Sequence, residues 1–73
     1  MFPKREVVEE IREKYPVGSK VRLLRFYDIY TNIPIGTIGT VTNVDDIGTI
    51  HVNWETGHKL GVAYLVDECE LVN

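Results

Sequence analysis

The stretch that decides the fold is Val44-Asp45-Asp46-Ile47-Gly48-Thr49-Ile50-His51-Val52-Asn53-Trp54-Glu55-Thr56-Gly57-His58-Lys59-Leu60-Gly61-Val62. Asp45 to Gly48 and Trp54 to Gly57 each read as a type I turn followed by a left-handed glycine, the common three-residue hairpin with a G1 bulge. The second turn sets Trp54 opposite His58, Val52 opposite Leu60 and Ile50 opposite Val62. Strand side chains alternate, so these six share the core face, while His51, Asn53, Lys59 and Gly61 look outward.

Upstream, Gly36 to Val44 is a second strand rich in β-branched residues, with Gly36 and Gly39 expected to permit a sharp bend. Lys20-Val21-Arg22-Leu23 alternates as a half-buried strand, and Leu24 and Phe26 fall out of phase, which predicts a bulge or a bend. Between them Phe26 to Ile35 is a long irregular loop with its own apolar anchor among Tyr27, Ile29, Tyr30 and Ile33. Downstream, Tyr64 to Glu68 is a short turn and Cys69 to Val72 a last strand.

Residues 1–16 carry a different period. Pro3 suits a first helical turn, Glu6 the positive end of the dipole, and Val7, Val8, Ile11 and Tyr15 recur at helical spacing. Pro16 should end the helix at Tyr15, and Glu10 and Lys14 make a favourable i,i+4 pair. The narrow apolar stripe reads as a cap on the following domain; a detachable partner-binding helix is the alternative. Five short strands in residues 17–73, with a long first loop and tight later hairpins, predict a mainly β protein: a small SH3-like barrel behind one short helix.

A chain of 73 residues leaves room for one small domain with a thin core, too thin to give up space to a large buried catalytic pocket. At 44% hydrophobic and 26% charged residues it lies far from the disordered class. A single cysteine rules out an internal disulfide and the usual zinc sites, so a cytoplasmic setting is the default. No apolar run approaches the roughly 18 residues of a membrane span, and the charged start lacks a signal-peptide core. The net charge of −3 is unevenly spread: residues 1–16 are neutral, residues 17–44 carry an excess of two positive charges and residues 45–73 an excess of five negative ones. A net acidic chain argues against nucleic-acid binding, which draws on Lys and Arg, although Lys20, Arg22 and Arg25 supply a small basic group.

Tyr15-Pro16-Val17-Gly18-Ser19-Lys20-Val21-Arg22-Leu23, then Pro34-Ile35-Gly36-Thr37-Ile38-Gly39-Thr40-Val41, then Val44 to Gly57 with Leu60-Gly61, resembles a bacterial and phage family known only as a domain of unknown function. The resemblance implies an SH3-like barrel from bacteria or their mobile elements. It transfers no catalytic or ligand residues.

Each chemical candidate has a bland reading beside it. The hairpin register separates His51 and His58 onto opposite faces, so they do not share a metal ion: His58 is a rim residue and His51 a solvated strand position. Asp45 and Asp46 read as turn residues bonding their own backbone before they read as a cation site or paired carboxylates. Ser19 has no histidine partner for a triad, and the glycines lack the Lys-Ser/Thr of a phosphate loop. Cys69, between Glu68 and Glu70, reads as a quiet core thiol.

No enzyme, metal or cofactor is expected. Tyr27, Tyr30 and Trp54 either line a shallow aromatic groove or serve as loop anchors and a core plug. The groove, rimmed by Asp45, Asp46 and Glu55, makes the chain a protein- or peptide-binding module for a basic or proline-containing segment. The alternative is a nucleic-acid-associated module using Lys20, Arg22 and Arg25. A third reading is an acidic inhibitor that occupies a nucleic-acid-binding surface of another protein.

Overall fold

A computed structural model describes residues 2–27 and 32–72. Its elements are α1 (Arg5–Lys14), β1 (Lys20–Arg25), β2 (Ile38–Val44), β3 (Ile50–Trp54), β4 (Lys59–Val62) and β5 (Glu68–Leu71). All five strands lie in one antiparallel sheet of order β4-β3-β2-β1-β5, so β4 and β5 are its edges among the described residues.

The hairpins follow from their turns. Gly48 and Gly57 have φ of 80° and 93°, the left-handed geometry that only glycine enters freely. Their N–H groups donate to Asp45 O and Trp54 O at 3.1 and 2.9 Å, closing both turns. The β3–β4 register pairs Ile50 with Val62 and Val52 with Leu60, and Trp54 N donates to His58 O at 2.9 Å, as the turn composition requires. Ile50, Val52, Trp54 and Val62 are buried, Leu60 is half-buried and His58 is exposed at the rim.

Phase breaks appear as bulges. The β1–β5 register shifts between Leu23 and Arg25, which turns Leu24 outward as its sequence phase predicted. A second shift, between Val41 and Asn43, was not legible beforehand; there Thr42 Oγ1 donates to His51 O at 3.2 Å. Gly39 has a packing role that the sequence did not show. It has no positive φ, and a Cβ there would overlap Val52 Cγ1 and come within 2.7 Å of Trp54 Cε3. Gly39 is glycine so that the neighbouring strand's side chains can close over it.

Helix α1 starts from Lys4 as N-cap, so Pro3 precedes the helix instead of sitting in its first turn. It stops at Tyr15, whose N–H still donates to Ile11 O at 2.9 Å before Pro16 removes the next donor. Val8 and Tyr15 are buried and Ile11 packs on the core, so the stripe caps the sheet. The expected Glu10–Lys14 pair does not form. Arg12 instead bridges Glu9 at 3.3 Å and Asp46 at 2.8 Å, while its Nε donates to Val44 O at 3.2 Å and ties helix to β2–β3 turn.

The core centres on Val21, Leu23, Val41 and Val52, each worth roughly 1.5–3 kcal/mol of burial. Ile33, 6% exposed, anchors the long loop into it as expected. Among the described residues the buried side chains are apolar apart from the Tyr15 hydroxyl, which donates to Cys69 O at 3.4 Å, and the Cys69 thiol.

Candidate functional site: an exposed apolar face

Asp67 organises the site. Ala63 to Asp67 is a turn closed by Val66 N and Asp67 N donating to Ala63 O at 3.1 and 2.9 Å. The Asp67 carboxylate accepts Ala63 N at 3.0 Å with one oxygen and Tyr27 N at 2.8 Å with the other. One side chain therefore fastens the end of β1 to the β4–β5 turn, acting as a backbone mimic at both.

That clamp displays apolar side chains. Leu65 has φ of 62°, the one positive value at a non-glycine among the described residues. A leucine there costs about 1–2 kcal/mol relative to ordinary backbone, and burial does not offset it, because Leu65 is 71% exposed. Tyr27 at 75% and Val66 at 47% stand exposed beside it, and the three line with Arg25 an open groove of ≈ 490 Å³. Arg25 Nε donates to Val66 O at 3.3 Å and its Nη1 lies 3.6 Å from Glu68, so the arginine props the groove wall. A separate groove of ≈ 500 Å³ beside α1 is lined by Pro3, Val8 and four charged side chains. Arg12, Glu9 and Asp46 of that lining are already paired among themselves, so it presents little unsatisfied chemistry.

The residues expected at the site are dispersed. Trp54 is a core plug: it is 3% exposed, lies over Gly39, and its indole N–H donates to Leu60 O at 3.1 Å. The expectation of a partly exposed Trp54 ring is therefore corrected. Tyr27 is exposed, but it shares its groove with Leu65 and Val66 instead of Trp54. Tyr30 lies outside the described residues.

The expected acidic rim is divided between two turns. Asp45 Oδ1 accepts Ile47 N and Thr49 N at 3.1 and 3.0 Å, the turn chemistry its sequence position predicts. Its Oδ2 accepts a hydrogen bond from His51 Nε2 at 2.8 Å, so His51 is a half-buried partner of Asp45 and not a freely solvated residue. Burial pushes the Asp45 carboxyl up, but the hydrogen bonds from His51, Thr49 and Ile47 outweigh it and hold the pKa below the ordinary value. Asp46 contacts Arg12, and that contact, working against partial burial, raises the guanidinium's pKa. Glu55 is exposed at the other turn, where its N–H donates to Ile38 O at 2.9 Å.

Lys20, Arg22 and Arg25 do share the outer face of β1, yet two are matched across the strand. Arg22 lies 3.2 Å from Glu70 and Arg25 3.6 Å from Glu68, and Lys20 Nζ donates to Thr40 Oγ1 at 2.6 Å. Cys69 is buried opposite Leu23, and burial first, then Glu68, pushes its thiol up to about 11 against the pull of Lys14. His58 Nδ1 is 2.8 Å from Thr56 Oγ1 on the exposed turn, and no group of three metal-ligating side chains occurs among the described residues.

Sequence reasoning passed over Leu65 and Val66 as site residues and placed Arg25 only in the alternative nucleic-acid face. The signal available was two bulky aliphatics in a turn that ends on an aspartate. No helix among the described residues is long and apolar enough to cross a membrane. No curated protein and no solved structure matches the chain. The model of one family, the domain of unknown function DUF4314, matches residues 4–72, covering the helix, all five strands and the Asp67 turn, and the chain belongs to that family.

Proposed function

We propose that the chain is a non-enzymatic binding module, its sheet curled into a small SH3-like barrel, that holds a protein or peptide partner on the face of Tyr27, Leu65 and Val66. The observation that carries this reading is Leu65: a large apolar side chain held out in water by a left-handed backbone, next to two further exposed apolar side chains. Strain without local compensation is a mark of a binding position, and a contiguous exposed apolar group marks an interface. The sheet order, with β1 between β2 and β5, supports the barrel reading because the end of β1 and the β4–β5 turn meet at one corner. The reading places the protein in the cytoplasm of a bacterium or of a cell carrying a phage. Lys20, Arg22 and Arg25 favour nucleic acid less, since Glu70 and Glu68 cancel two of the three charges.

The test compares partner binding by the chain and by Tyr27→Ala. Tyr27 is exposed, so its ring contributes to the partner and not to the core. Binding should weaken at least tenfold, with the melting temperature within a few degrees of the parent. Unchanged partner binding, or micromolar binding to random DNA that falls steeply with salt, contradicts the proposal.

A further inference from the structure

Behind Leu65 lies a second, smaller space. A cleft of ≈ 240 Å³ opens between α1 and the sheet, walled by Ile11, Tyr15, Ile50, Val62 and Cys69, with Leu65 at its lip. Leu65 also lines the outer groove, so the two spaces are contiguous across one side chain. We infer that this cleft is an anchor pocket for a single bulky, uncharged side chain of the partner segment. The inference rests on the docking-face reading above.

Size and chemistry both point to that occupant. An apolar cavity of roughly 150 Å³ already admits a benzene-sized guest, so this cleft takes one leucine, methionine or phenylalanine side chain. Among the described residues no buried side-chain polar atom lacks a partner, so nothing in the walls asks for an ion or a polar head. The charges at the rim are committed: Lys14 Nζ lies 5.4 Å from the Tyr15 ring centroid, Asp67 holds two backbone N–H groups, and Glu68 faces Arg25. The cleft's own charged lining is one lysine and two carboxylates, and with Glu68 facing Arg25 and Asp67 bound to backbone, shape and apolar surface select the guest.

A partner segment fits better than a second copy of the chain. Three exposed side chains form a patch of a few hundred Å² by order of magnitude, against about 800 Å² per partner in a stable protein pair. A short segment crossing Tyr27 and Val66 and dropping one side chain past Leu65 matches that area. Small interfaces gain most of their affinity from one such buried anchor.

The experiment selects peptides from a random heptapeptide display library on the immobilised 73-residue chain. Selected peptides are then measured against the chain, Leu65→Gly, Tyr27→Ala and the cleft-filling variant Ala63→Leu. The rate of Cys69 alkylation by iodoacetamide, with and without peptide, reads occupancy of the cleft without any substitution. Expected are peptides sharing one bulky apolar residue whose change to alanine, like Ala63→Leu, weakens binding at least tenfold. Each should slow Cys69 alkylation several-fold. Peptides that lose affinity for Leu65→Gly but bind Ala63→Leu unchanged and leave Cys69 equally reactive would overturn the anchor pocket and keep the docking face. A library that yields no binders, or binders indifferent to both Leu65→Gly and Tyr27→Ala, would overturn the two together.

Discussion

Gly39 shows how little freedom single positions have in so thin a core. The neighbouring strand lays Val52 and Trp54 against its Cα, so even a methyl group meets side chains that have nowhere to go. Gly39→Ala should lower stability by about 2 kcal/mol or more in chemical denaturation, by overpacking and not by backbone strain, since its φ is not positive. The same contact explains why Trp54 was legible only as an alternative. Its place beside the Trp-Glu-Thr-Gly turn is local information, whereas burial of its ring depends on a glycine in another strand. Asp45 is the opposite case: its turn role follows from residue type, and its His51 bond from the register. Because Asp45's folded pKa lies below its unfolded value of about 3.9, its contribution to stability is present above that pH and is lost as pH falls through the folded value. Asp45→Asn should therefore be less stable than the parent at neutral pH. Melts on acidification below about pH 4 should show the gap closing; a constant gap would disprove the linkage.

Among the elements, the β3–β4 hairpin was the most readable, because turn composition and period-two alternation specify the same register. Val52 points to the core and Asn53 away from it. Val52→Asp should cost roughly 3–5 kcal/mol, enough to unfold a domain of this size, while Asn53→Asp should stay within about 0.5 kcal/mol. Equal melting temperatures for the two variants would refute the register. The helix was legible in extent but not in its polar contacts. Arg12 reaches Asp46 as well as its local partner Glu9, because helix docking brings a distant turn within 2.8 Å. The β4–β5 turn was the least legible element. Leucine carries no signal for a positive φ, so the outward placement of Leu65 arises from the Asp67 clamp to two separate backbones, a tertiary effect.

At the scale of the molecule, dispersal of the acidic residues moves the candidate site from the hairpin tips to the corner where β1 and β5 meet. The aromatic expectation was right about Tyr27 as an exposed ring and mistaken about its neighbours, because the sheet order sets β1 beside β5 and keeps Trp54 two strands away on β3. Whether Leu65 is kept outward for a partner, as proposed, or is held by packing is separated directly by one measurement. Leu65→Gly relieves the left-handed strain and removes little buried surface; offset by the greater unfolded-state entropy of glycine, the net gain is about 1 kcal/mol. Thermal unfolding of the variant should show a melting temperature about 4–8 °C above the parent. A fall of comparable size would mean that Leu65 is held by packing and would contradict the docking face.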